Sequence, residues 1–254
     1  MTPPPLLPPG RLRIGIVGVG KVGAVLGAAL ARTGHLIVAA SAVSEQSLAR
    51  AAALLPDTPI AAPDDVVAPA IDQGVGCMAI HPAMSFTGTE MDLQRLRDCC
   101  FGVTAPPDLV AVAQALVVEM GGEPVLIDEF DRVRYHLGLV HGSNYCITLV
   151  AQAMEILRGA GVGDPGRVLR PLMNAALDNA LRAGDAALTG PVARGDAGTV
   201  AEHFHVLRDE EPDVQQVYRV LAAATLARAR RQGRLGAVAA GALADVLADQ
   251  EDPT

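Results

Sequence analysis

The 254-residue sequence has no tryptophan, four phenylalanines and three tyrosines. A core drawn from it must rest on small aliphatic side chains, mainly Ala, Val and Leu on helices. It has no apolar run long enough to span a bilayer, so no membrane role is expected. Met1 to Gly10 (MTPPPLLPPG) lacks the positive start and long apolar stretch of a signal peptide. It reads as a disordered proline-rich tail, residues 1–10. Positive charge is not in excess either. A formal net charge of -8 argues against a nucleic-acid partner. Cys77, Cys99, Cys100 and Cys146 show neither CxxC nor zinc spacing. No metal site is expected, and the thiols read as reduced, buried groups of a cytoplasmic protein. There is one lysine, Lys21.

What is present centres on Arg11 to Arg32, RLRIGIVGVGKVGAVLGAALAR. Leu12 to Val17 is a short β-branched run, the pattern of a buried parallel strand. Gly18, Val19, Gly20, Lys21, Val22 and Gly23 follow, and a helix-forming segment comes next. Strand, glycine turn and helix at this spacing form a dinucleotide-binding fingerprint. Gly18 permits the tight turn, Gly20 lets the backbone approach a pyrophosphate, and Gly23 lets helix and strand pack closely. The helix start offers N–H groups and a positive dipole end to phosphate.

Leu36 to Ala40 is the second strand. Enzymes that use NAD usually carry an acid at its tip, for the ribose hydroxyls. Here the tip reads Ala40-Ser41-Ala42-Val43-Ser44. Ser41 and Ser44 leave room for a 2′-phosphate, so NADP is expected and NAD is the alternative. No Arg stands at the tip to clamp that phosphate. Gln46 to Leu55 reads as a helix, Thr58 to Ala61 as a short strand, and Ala68 to Gly76 as an indifferent stretch. Val75 to Ile80 is the next strand. His81 closes it at the carboxyl end, where α/β sheets bind ligands. It is either a wall of the cofactor site or a turn cap. Met91 to Arg97 and Asp108 to Met120 are helices; Cys100 to Thr104 and Glu123 to Ile127 are strands. Residues 11–129 thus alternate strand and helix, which predicts a parallel α/β sheet.

From Asp131 onward the pattern is helical. Asp131 to Arg158 reads as one long helix, Asp164-Pro165 opens another, Asp196 caps the helix Ala197 to Leu207, and Pro212 opens the last strong one. Residues 130–234 form a helical substrate and dimerisation domain, and 235–254 a tail with an outlying helix.

Three motifs stand out: HPAMSFTGT at 81–89, YHLGLVHGSNY at 135–145 and LTGPVARGDAGTVAEH at 188–203. With GIVGVGKVG they resemble a bacterial family that joins a Rossmann-like domain to a helical domain catalogued as domain of unknown function 2520. Its architecture is similar to that of ketopantoate reductases, pyrroline-5-carboxylate reductases and other enzymes with the 6-phosphogluconate-dehydrogenase type of helical domain. The resemblance implies a nicotinamide cofactor, a small oxo-acid or imine substrate, and a homodimer joined through the helical half. Family members carry two further strands between residues 64–67 and 69–75, ending in loops of the AVPD and HTSG types. Their absence removes roughly 45 residues at ordinary element lengths. The first of them would lie beside Leu12 to Val17.

His136, His141 and Asn144 are the catalytic candidates. In an α-helix His141 and Asn144 share a face, and His136 lies near it. Related dehydrogenases carry a Lys four residues before the matching Asn; here that position is Val140. His141 is either the substituting acid, since histidine titrates near neutral pH, or a helix-interface histidine. Asn144 would orient the substrate. Arg194 would hold a substrate carboxylate bidentately, with Thr189 in the same loop. The expected activity is reduction of a small 2-oxo acid, ketopantoate-like, by NADPH. The alternative is a dimeric nucleotide-binding protein that has lost its nicotinamide site. Between Val133 and Ile156 the charged residues are Arg134 and Glu155 alone. Such a helix is expected to be buried nearly all round, against a second copy.

Overall fold

Arg13–Ile16 forms strand β1, and the glycine turn after it opens helix α1, Lys21–Arg32. The structure, a computed structural model, describes residues 8–66 and 78–248. The tail at residues 1–7, the stretch 67–76 and Cys77 lie outside the described residues, and so does the segment 249–254. Gly34, with φ of 96°, ends α1 in the left-handed conformation that glycine tolerates. The chain continues through β2 (Leu36–Ser41), α2 (Glu45–Leu54) and β3 (Ile60–Ala61). β1, β2 and β3 pair in parallel in that order, as the alternating pattern predicts.

The next strand is β4, Ala79–Pro82, followed by α3 (Met91–Arg95), β5 (Cys100–Thr104), α4 (Val110–Glu119) and β6 (Glu123–Leu126). These strands make a second three-stranded sheet of order β4-β5-β6. β5 and β6 are parallel, but β4 runs antiparallel to β5. The single parallel sheet expected over residues 11–129 is therefore two sheets, one of them mixed. Periodicity reports burial and not strand direction, so a short apolar run is silent on this point. β1 pairs with β2 alone among the described residues. Both sheets feed one aliphatic core that includes Val25, Ala28, Phe101, Val103 and Val117.

At the end of the first sheet remote from the glycine turn, buried His35 joins three segments. Its Nδ1 accepts the Leu12 N–H at 3.0 Å, and its Nε2 lies 2.8 Å from Glu119 Oε2. Arg11 reaches the same oxygen at 2.6 Å.

Beyond a 3-10 turn at Glu129–Asp131, the expected long helix is divided. It comprises α5 (Arg132–Leu139), a π-helical segment (Val140–Asn144) and α6 (Tyr145–Gly159). Then come α7 (Pro165–Ala183), the short α8 (Pro191–Arg194), α9 (Ala197–Leu207), α10 (Pro212–Arg231) and α11 (Ala237–Ala248). The chain divides into two compact units, 1–142 and 143–254. The boundary lies inside the π segment, not at 129/130, so α5 belongs with the sheets. The expected tail instead contributes α11 to the second unit. Ala240, Leu243 and Leu247 share one helical face and are buried in a core with Val200, Phe204 and Leu226. The expectation of a helix buried all round is not met within one chain. Val133, Leu137 and Ile147 are 80%, 59% and 68% exposed, and Gln152 is the buried residue of α6.

Candidate functional site

The three fingerprint glycines have separable reasons. Gly18 has φ of 87°, a conformation that suits glycine. A Cβ on Gly23 would overlap the Gly18 carbonyl oxygen, so the close turn needs glycine there. Gly20 has neither reason. Its φ is -74°, open to any residue, and a Cβ there would meet nothing within 4 Å. Nothing in the fold demands glycine at this position, which is what a close-lying ligand would require. Gly20 is also the N-cap of α1 and supplies no side-chain cap, so the first N–H groups of the helix keep their donor capacity. The residues present therefore fit the pyrophosphate of a dinucleotide.

β2 holds this turn in place. The buried Ser41 hydroxyl accepts the Gly18 N–H at 2.8 Å, and the Ser41 carbonyl accepts the Val19 N–H at 2.8 Å. Val19 is buried, while Lys21 and Val22 are exposed at the start of α1. Ser44 caps α2: its hydroxyl accepts the Ser47 N–H at 3.2 Å. The Ser47 hydroxyl returns to the Ser44 backbone. Both serines expected to face the ribose thus have structural bonds.

The loop after β4 is organised by Asp92, which sequence reasoning missed. Its fully buried carboxylate accepts the Thr87 N–H at 2.8 Å, the Gly88 N–H at 2.7 Å and the Thr87 hydroxyl at 3.0 Å. Burial by itself would push this carboxyl up. Donation from Gly88, Thr87 and Thr89 outweighs it and holds the group below its ordinary value. The signal was an Asp just after the glycine-containing motif, in the pattern of a side chain that caps a turn.

His81 is not at the carboxyl edge of its sheet. Because β4 is antiparallel, Pro82 pairs with Phe101 near the start of β5. His81 pairs with Gly102, and its ring stands edge-on to Tyr135 and His136 of α5, with centroids 5.9 and 5.8 Å apart. Gly102 admits the Tyr135 ring; a Cβ there would come within 2.7 Å of it. Burial and the neighbouring His136 hold the His81 imidazole below the ordinary histidine value, and burial pushes the Tyr135 phenol up. The structure thus brings His81 and His136 together and adds Tyr135.

The α-helical geometry on which His136, His141 and Asn144 were argued to share a face does not hold for their backbone. Val140–Asn144 is π-helical. Its i→i+5 bonding breaks the α periodicity on which the shared face was argued. The weak helix formers Gly138, Gly142 and Ser143 lie in and beside this segment. In the second unit Arg194 is the exposed last residue of α8, and Thr189 is exposed in the preceding loop. Asp196 caps α9, accepting the Thr199 N–H at 3.0 Å and the Thr199 hydroxyl at 2.7 Å. Among the described residues no group of three or more His, Cys, Asp or Glu is arranged to hold a metal ion. No described helix is long and apolar enough to cross a membrane.

The fold and turn define a Rossmann-like α/β protein with a helical C-terminal unit. Residues 3–72 match a Rossmann-like domain. Residues 99–225 match the domain of unknown function DUF2520, and the chain belongs to that family. Among solved structures it is similar to BF3122 of Bacteroides fragilis, named as a candidate NADP oxidoreductase. That match has 19% identity and a TM-score of 0.68, covering 85% of this chain and 98% of that one. Protein TM1727 of Thermotoga maritima is similar at 18% identity and a TM-score of 0.59, covering 87% and 99%. No curated protein matches the chain.

Proposed function

We propose that the protein is a cytoplasmic, NADP-dependent reductase of a small 2-oxo acid, ketopantoate-like in chemistry, with NAD as the weaker cofactor. The observation that carries the reading is Gly20, a glycine with open space around it at an uncapped helix start. The name of the similar Bacteroides fragilis protein, a candidate NADP oxidoreductase, points the same way. The cofactor, when bound, supplies a hydride donor. Gly18 to Gly23 hold its pyrophosphate, and Ser41 fixes their turn. His141 and His136 are the proton-donating candidates, Asn144 the orienting one, and Arg194 with Thr189 the substrate carboxylate anchor.

The protein acts as a homodimer in this reading. Val133, Leu137 and Ile147 stand exposed on a stretch with almost no charge, which favours cover by a second copy.

Val140 in the position of the lysine of related dehydrogenases, and the unpaired second edge of β1 among the described residues, favour one other reading. It is a dimeric nucleotide-binding protein without catalysis. Purified protein incubated with NADPH and a panel of 2-oxo acids and cyclic imines separates the two. NADPH oxidation with one member supports the reductase. Tight NADPH binding with no oxidation by any member rejects it in favour of the binding protein.

A further inference from the structure

Two cations of the first unit meet at one loop glycine. Gly88 has φ of 80°, and a Cβ built on it would come within 3.0 Å of Arg50 Nε and 3.1 Å of Lys21 Cγ. Lys21 opens α1 directly after Gly20, and Arg50 lies on α2, six residues beyond Ser44. Among the described residues neither cation makes a hydrogen bond or ion pair. The carboxylates nearest in sequence to the loop are already engaged. Glu90 pairs with Arg32 at 2.6 Å, and Asp92 is held by Thr87 and Gly88, with Arg95 at 3.6 Å.

We propose that Lys21 and Arg50 clamp the phosphomonoester on the adenosine ribose of NADP. The inference rests on Gly18 to Gly23 being a dinucleotide turn and deepens that reading by naming what selects NADP. Three backbone N–H groups of the turn and the loop after β4 are spent, while the start of α1 is left to the pyrophosphate. The Gly18 N–H bonds Ser41, and the Thr87 and Gly88 N–H groups bond Asp92. The hydroxyls at the β2 tip are spent as well, Ser41 on the turn and Ser44 on its helix cap. Charged side chains are what remains to select a phosphate. A cleft of about 390 Å³ opens beside Arg50, walled also by Arg32, Gly88, Thr89, Glu90 and apolar side chains of α1 and α2. Lys21 at the turn and Arg50 from the next helix flank its loop, so the missing Arg at the strand tip is replaced from α2.

Calorimetric titration of the full chain with NADPH and NADH tests this, on the wild type, Arg50→Gln and Lys21→Gln. The wild type should bind NADPH more tightly. Arg50→Gln should lose about ten- to hundredfold in NADPH affinity, the range of a charge-assisted hydrogen bond, and keep its NADH affinity, while Lys21→Gln, inside the pyrophosphate turn, should lose more NADPH than NADH affinity. Lys21 is the one lysine, so an amine-directed reagent labels it and the α-amino group alone. NADPH should protect it from labelling better than NADH does. Equal wild-type affinities, or variants that keep the NADPH preference, overturn the clamp and leave dinucleotide binding standing. A folded wild type that binds neither cofactor overturns the dinucleotide reading and the clamp with it. Lys21 is exposed at a helix start, so its variant stays folded if the Arg50 variant loosens the loop.

Discussion

The Ser41 hydroxyl accepts the Gly18 N–H at 2.8 Å and joins the tip of β2 to the glycine turn after β1. Ser41 is buried, so Ser41→Ala leaves that N–H without its partner. The cost is about 1–3 kcal/mol, read as a lower urea midpoint. Affinity for NADPH and NADH should fall together, because the turn loosens and no cofactor-specific contact is lost. A variant with unchanged midpoint and unchanged affinities would show that the bond does not order the turn.

Gly20→Val and Gly23→Ala should separate binding from folding. The first places its side chain in open space and costs only a poorer N-cap, about 1 kcal/mol or less. Binding of both dinucleotides is lost, since the valine occupies the pyrophosphate's place. The second drives a Cβ into the Gly18 carbonyl and should cost about 1–3 kcal/mol. Full dinucleotide affinity in the valine variant would mean that the fingerprint is a turn only.

Asp92→Asn replaces one of the two buried oxygens that together accept three donors by an amide N–H₂. A loss of about 1–3 kcal/mol is expected, with faster amide exchange at Thr87 and Gly88. Because the folded carboxyl lies below its ordinary value of 3.8, its stabilising share is full above that value. It is lost as the pH falls through the lowered one. Unchanged exchange at Gly88 would count against Asp92 as the organiser of the loop.

His81 should make stability fall on mild acidification. Its folded value is below 6.5, so below that pH the unfolded chain takes up the proton first. The contribution is full above about pH 6.5 and declines as pH falls through the lowered folded value. Besides burial, His136 and Arg132 are the neighbours that lower it. Urea midpoints of the wild type and His81→Gln, measured from about pH 7 to about pH 5.5, should converge if His81 carries the dependence. Parallel curves would place the dependence on another group.

Light scattering at micromolar concentration should report a dimer, and Leu137→Arg or Ile147→Arg should reduce it to monomer with unchanged helical content. Both side chains are exposed in the single chain, so their loss leaves its own core intact. A wild-type monomer would refute cover by a second copy.

How much was legible follows from the range of each signal. The strand, turn and helix around Gly18 to Gly23, the glycine stop at Gly34 and the caps at Asp164 and Asp196 are set within a few residues. Their hydrogen bonds and φ angles are local, and composition reports them. The sequence by itself determined these elements, the alternation of the first half and the helical character of the second. The direction of β4 and the split into two sheets depend on pairing between segments far apart, about which an apolar run of four residues is silent. The meeting of His81 with Tyr135 and His136, and of Lys21 with Arg50 at Gly88, likewise arises only when separate elements fold onto one another. The π segment at Val140–Asn144 shifts register inside what periodicity reads as continuous helix, so the shared face of His136 and Asn144 was an α-helical inference that the backbone did not keep.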